Sequence, residues 1–222
     1  MEVPIWRGAE RFGDSTVASE RLAGLPERTD VLALGPLTNL AVALESDPGL
    51  AGRATLRWVG GNLARTGPGL SRRPLDFNFL RDRRAARRVL SAPWRALVLY
   101  PLGVVASMRV DAVRLDRLAG LSPLGRYLAD HSRRWVRRAR WRYLAPAFPV
   151  WDLPAALDAI GLLSGDRSTP SARVSISRFF GNTAEPSWVS GFDPNKAWAA
   201  FEQLLLAQLP PGPLIDRRQE VS

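Results

Sequence analysis

The chain has 222 residues, 46% of them apolar and 23% charged, an ordinary globular composition for one sizeable domain. Its formal charge of +10 rests almost wholly on arginine, because Lys196 is the only lysine, and the lack of cysteine excludes disulfides, thiolate metal sites and cysteine nucleophiles. No uncharged apolar run is long enough to cross a membrane, and the opening residues lack the pattern of a signal peptide, so a cytoplasmic soluble protein is expected.

Residues 31–34 read as a short buried strand that breaks into the polar turn Gly35-Pro36. Residues 38–45 follow as a helix, with Thr38 or Asn39 near its N-cap and Asp47-Pro48 ending it. The next strand, 55–59, runs into Gly60-Gly61-Asn62. A long loop through Gly67-Pro68-Gly69 leads to Asp82, which opens a helix over 83–90, and 96–100 is a third strand stopped by Pro101. This alternation predicts an α/β fold: a mostly parallel, Rossmann-like sheet flanked by helices. In such a sheet the loops at the carboxyl ends of adjacent strands converge on one crevice, which points to a small-molecule site beside Gly35 and Gly60.

Ser122-Pro123 begins a helical stretch to about Leu144, interrupted by Pro146 and Pro149. Its stretch from Arg126 to Arg142 gathers arginines around Trp135 and Trp141, a composition that would suit stacking on nucleic acid. A solvated amphipathic helix with Tyr127, Leu128, Trp135 and Leu144 turned inward is the favoured reading; nucleic acid is not the expected partner. His131, the single histidine, is expected on the surface of this helix. Asp152 is expected to cap a helix to about Leu163, residues 174–177 alternate as a strand, 181–191 are turn-rich, and 195–209 form an amphipathic helix. Residues 1–210 read as one domain and 211–222 as a frayed tail. On pattern alone Asn39 caps or closes its turn and Gly60-Gly61 serve close packing, whereas Asn78, between Phe77 and Phe79, needs a partner if buried.

Five segments in order carry a resemblance: Arg7-Gly8-Ala9-Glu10, Gly35-Pro36-Leu37-Thr38-Asn39, Gly60-Gly61-Asn62, Asp76-Phe77-Asn78-Phe79 and Trp151-Asp152-Leu153-Pro154-Ala155. Together they resemble the loops of the inosine-uridine-preferring nucleoside hydrolases. The resemblance implies cleavage of the N-glycosidic bond of a ribonucleoside by a water held on calcium, through an oxocarbenium-like transition state. It also implies a free nucleoside as the partner, and is compatible with a homo-oligomer. By resemblance Asp152 is a calcium carboxylate and the Leu34 carbonyl a backbone ligand, while Asn62, Asp76 and Asn78 hold the ribose. Asp76 stands where glutamate is usual and reaches one methylene less far. Trp151 replaces the histidine that in part of the family protonates the leaving base; an indole can stack there but cannot donate that proton.

The family's Asp-x-Asp-x-x-x-Asp-Asp cluster, which supplies most metal ligands and the base, has no counterpart, and Glu2 is the only acidic residue ahead of Arg7. The sheet is therefore expected to lack the family's first strands. Calcium is not expected to bind tightly, and cleavage by these residues alone is expected at background rate. The chain reads as an N-terminally truncated hydrolase or as a degenerate, inactive relative that still binds ribose or a nucleoside. A third reading is an arginine-rich nucleic-acid binder.

Overall fold

The computed structural model describes residues 3–61, 76–142, 146–168 and 186–207. Asn62, the Gly67-Pro68-Gly69 loop, the 174–177 strand and the tail lie outside the described residues. Along the chain come α1 (Val17–Ala23), β1 (Asp30–Ala33), α2 (Thr38–Ser46), α3 (Leu50–Arg53), β2 (Thr55–Val59), α4 (Phe77–Arg81), α5 (Arg83–Leu90), β3 (Ala96–Tyr100) and α6 (Leu102–Val105). Then follow β4 (Arg109–Asp111), α7 (Ala112–Leu121), α8 (Pro123–Arg142), β5 (Ala147–Pro149), α9 (Leu153–Ala159), β6 (Asp166–Ser168), β7 (Ser187–Gly191) and α10 (Pro194–Leu206). The chain divides into two compact units, one of residues 6–109 with 149–197 and one of residues 1–5 and 110–148 with the chain from 198 onward.

The first unit is built on a five-stranded sheet in the order β1-β2-β3-β7-β6. β1, β2, β3 and β7 run parallel and β6 is antiparallel to β7, so the sheet is mostly parallel, as the alternating pattern predicts. Asp30 pairs with Thr55 and Thr55 with Ala96, so the first three strands start level and their following loops leave the sheet together. Period-two alternation divides the side chains between two layers. Leu56, Trp58, Leu97, Leu99 and Trp188 pack with Leu40, Ala41 and Leu44 of α2 and Ala85, Ala86, Val89 and Leu90 of α5. Val59, Val98, Tyr100 and Val189 pack with Leu102 and Val105 of α6 and Ala155 of α9.

Helix starts obey local chemistry. Thr16 and Ser19 form a reciprocal capping box at α1. Asp82 caps α5 by accepting from the Ala85 N–H at 2.9 Å, where the sequence places it. Leu37 holds the cap position of α2 without a side-chain cap bond, so Thr38 and Asn39 stand next to the cap, where they are expected. Four expectations need correction. Asp152 precedes α9 in helical conformation, also without a cap bond, and the helix ends at Ala159 before Gly161, whose φ of +76° turns the chain away. Within the stretch read as turns, residues 187–191 form β7, because Trp188 and Val189 each have a buried layer to fill.

The fourth correction concerns the second unit. Tyr127 and Trp135 of α8 are 45% and 47% exposed instead of inward. Small residues take the buried side, since Gly125 and Ala129 are buried and a Cβ at Gly125 would collide with the Leu118 carbonyl of α7. Trp135 lies instead beneath Arg134 and Arg138, at 5.7 and 5.5 Å. His131 is exposed as expected, its ring 4.1 Å from that of Tyr127. Buried Glu202 of α10 accepts from Arg114 at 3.1 Å and Arg117 at 2.6 Å. No described helix is long and apolar enough to cross a membrane.

Candidate functional site

β1 ends in Leu34-Gly35-Pro36 and β2 in Gly60-Gly61, and one indole locks the two exits together. Trp58, fully buried, donates Nε1–H to the Gly35 carbonyl at 3.3 Å, and its ring fills the space where a Cβ on Gly60 would lie. Gly60 is thus glycine because an aromatic ring lies against its backbone. Gly61 is glycine for a second reason, its φ of +79°. The Gly60 N–H donates to the Tyr100 carbonyl at 3.1 Å and the Leu102 N–H to the Gly61 carbonyl at 3.3 Å, which ties in the exit of β3.

Asp76 and Asn78, the described members of the expected ribose-holding set, meet this junction. Asp76 is buried, caps α4 by accepting from the Phe79 N–H at 3.0 Å, and accepts from the Gly61 N–H at 2.5 Å. Burial pushes its carboxyl above the ordinary aspartate value, against the pull of those backbone N–H groups. Asn78 uses its side-chain N–H₂ to donate to the Val59 carbonyl at 2.9 Å and to the Leu34 carbonyl at 3.4 Å. The polar residue between two aromatics thus finds its partners at two strand ends. Thr38 donates to Asp82 at 2.8 Å, which fastens α2 to α5 behind the same loops.

The segment from Arg7 to Glu10 docks beside them. Asn39 accepts the Ala9 N–H at 2.6 Å, and Gly8 permits this, because a Cβ there would come within 2.6 Å of Asn39 Nδ2. Arg7 and Glu10 pair with each other at 2.6 Å in solvent. Trp151 packs half-buried against the Tyr100 and Val98 layer. Asp152, next to it, is half-buried, and its carboxylate has no hydrogen-bond partner among the described residues.

Burial raises the Asp152 carboxyl above its ordinary value of 3.8. The fold therefore favours the neutral form: its contribution to stability is fully present below the unfolded value and is lost as pH rises through the folded one. Asp152→Asn is expected to match or exceed the parent in Tm at pH 7, with the advantage shrinking toward zero as pH falls to about 3.8. A mutant less stable at pH 7 would mean that the carboxylate has a stabilising partner after all.

Calcium takes six to eight oxygens. Among the described residues no three of His, Asp and Glu gather to hold a metal. Asp152 and the Leu34 carbonyl, which already accepts from Asn78, do not form such a cage by themselves.

The pattern of motifs has no place for a second polar cluster, under α9. Arg57 of β2 approaches Tyr100 Oη and Asp158 Oδ2, each at 3.3 Å; Tyr100 donates to Asp158, and Arg167 reaches the same oxygen at 2.7 Å. Burial, then the bond to Asp158, pushes the Tyr100 hydroxyl up to about 12. An arginine in the middle of the apolar strand Thr-Leu-Arg-Trp-Val is the sequence signal for such a cluster, since a buried guanidinium needs partners.

A family model described as inosine-uridine preferring nucleoside hydrolase matches residues 13–183. No curated protein matches the chain significantly. Solved structures do: a plant nucleoside hydrolase (19% identity, TM-score 0.68, covering 86% of this chain and 66% of its own) and a purine-preferring ribonucleoside hydrolase from Gardnerella vaginalis (15%, 0.66, 88% and 68%). An inosine-uridine preferring nucleoside hydrolase from Bacillus anthracis is similar too (20%, 0.61, 86% and 64%). At these identities the likeness establishes the fold, and the chain spans about two thirds of the length of these relatives.

Proposed function

The chain belongs to the inosine-uridine preferring nucleoside hydrolase family, and from that premise we propose that its protein cleaves the N-glycosidic bond of a ribonucleoside to base and ribose. The observation that carries this reading is the junction at the carboxyl ends of β1 and β2, where Asp76 and Asn78 fasten the Gly35 and Gly61 loops to each other. Those bonds fix both side chains in place before any ligand arrives. Asp76 retains carboxylate lone pairs and Asn78 its Oδ1 to accept ribose hydroxyls, with Asn62 as the third member. Trp151 offers an aromatic face to the base, and Asp152 and the Leu34 carbonyl offer oxygens to a cation. Calcium, in the family's chemistry, supplies an activated water; the residues described here bind and orient the sugar. Family membership favours hydrolysis over an inactive remnant. Such a reaction belongs to purine and pyrimidine salvage in the cytoplasm, with a free nucleoside as partner.

The test compares inosine and uridine with their 2′-deoxy analogues, reading binding by calorimetry and base release with calcium supplied. Binding is expected to depend on the ribose hydroxyls and to weaken in Asn78→Ala. Losing one hydrogen-bond partner costs about 1–3 kcal/mol, or roughly 5- to 150-fold in affinity. Equal treatment of the deoxy analogues, or an Asn78→Ala variant that folds and binds like the parent, would overturn the ribose assignment.

A further inference from the structure

The amino ends of the same strands carry a cavity of about 590 Å³, lined by Glu27, Arg28, Gly49, Gly52, Arg53 and Arg95. Its position follows from the register. β1, β2 and β3 start level, and an arginine stands one or two residues ahead of each paired first residue: Arg28 before Asp30, Arg53 before Thr55, Arg95 before Ala96. Neighbouring strands lie about 4.8 Å apart, so a parallel sheet brings all three arginines to the same end of its strands.

Arg53 and Arg95 are held by side-chain hydrogen bonds and Arg28 by its backbone, and each keeps donors to spare. Arg53 donates Nε–H to the Leu25 carbonyl at 3.0 Å and Nη2–H to the Ala23 carbonyl at 2.6 Å and to Asp47, which leaves Nη1 uncommitted. That nitrogen lies 3.0 Å from where a Cβ on Gly49 would stand, so a side chain at Gly49 would cover it. Arg95 uses Nη2 on Thr55 Oγ1 at 2.7 Å. Arg28 has no side-chain partner among the described residues, yet its backbone takes a φ of +61°, fixed by its N–H donating to the Arg53 carbonyl at 2.8 Å. That conformation favours glycine, so an arginine there costs stability. Its side chain is the feature a glycine would lack. Glu27 and Asp47 are the carboxylates nearby, and Asp47 is committed to Arg53, so the cavity keeps a positive excess.

We propose that this cavity is a second ligand site, distinct from the nucleoside site, that binds the phosphate group of a small phosphate monoester. Three guanidinium groups standing just ahead of three strands, each with N–H donors left over, suit a tetrahedral oxyanion with several acceptor oxygens better than a flat carboxylate with two. None of the six lining residues is aromatic, so the cavity offers charge and hydrogen-bond donors and no aromatic face.

The experiment titrates the protein with inorganic phosphate and with glucose 6-phosphate, reading heat and the shift in Tm. Saturable binding is expected with a Kd of about 1 mM or tighter. Arg28→Gly relieves the strained backbone, so it should fold at least as well as the parent while binding at least tenfold more weakly; Arg95→Gln should weaken binding similarly. Arg137→Ala, at an exposed arginine of α8, should leave it unchanged. No saturable binding, undiminished binding in Arg28→Gly, or equal weakening by Arg137→Ala, which would signal general charge attraction, overturns the proposal.

Discussion

Asp158→Ala is expected to lower the unfolding free energy by about 3–5 kcal/mol, the range typical of stranding one member of a buried ion pair. Asp158 is the shared acceptor for Arg57, Tyr100 and Arg167, with side-chain exposures of 9% for Asp158 and 17% for Arg57. Arg57 also has a buried Nε without a hydrogen-bond partner among the described residues, so it has no reserve when the carboxylate is lost. Its remaining counter-charge, Asp30, is 4.0 Å away and half exposed. Because the cost comes from the guanidinium left behind, Arg57→Met in the Asp158→Ala background should recover much of it. Urea unfolding of the parent, the two single mutants and the double mutant measures this cycle. A loss below about 1 kcal/mol, the range of exposed pairs, would mean that water reaches the cluster.

Trp58→Ala should cost a similar 3–5 kcal/mol, because removing a fully buried aromatic leaves a cavity that its neighbours fill only in part. A specific interaction should accompany it. Gly60→Ala alone forces a methyl into the Trp58 ring and should cost about 1–3 kcal/mol. In the Trp58→Ala background the same methyl enters the vacated space and should cost much less. Additive losses in this double-mutant cycle would show that the strand exits do not depend on the indole lying between them.

These two sites also mark where sequence sufficed and where it did not. β2 and β3, α5 and the Asp82 cap stand where periodicity and capping chemistry place them, because each is decided within a few residues. β7 escaped because its flanks read as turns, and its pairing with β3 on one side and β6 on the other makes it a strand. The helices α4 and α6, of five and four residues, are too short to show a helical period in the sequence. At the candidate site, the motifs locate Asp76 and Asn78 but not what they touch. That Asn78 bridges Val59 and Leu34, and that Asp152 caps nothing, depends on how strands and helices meet. Arg57 is visible as an anomaly inside an apolar strand, whereas its partners come from 43 and 101 residues further along.

The strand order has a consequence for synthesis on the ribosome. β1, β2 and β3 are consecutive, and the helices that cover one layer, α2 and α5, lie between them, so this half can assemble while the rest of the chain is still being made. The outer neighbour of β3 is β7, with Val98 paired to Ser187. Until residue 187 has emerged, the nascent protein presents a hydrogen-bonding strand edge of Leu-Val-Leu-Tyr without its partner, a template for mispairing with other chains. Chaperone dependence should therefore concentrate on the interval between the appearance of Tyr100 and that of Trp188. In refolding followed by pulsed hydrogen exchange, amides of β1 and β2 should gain protection before those of β7; simultaneous protection would show instead that the sheet closes in one step.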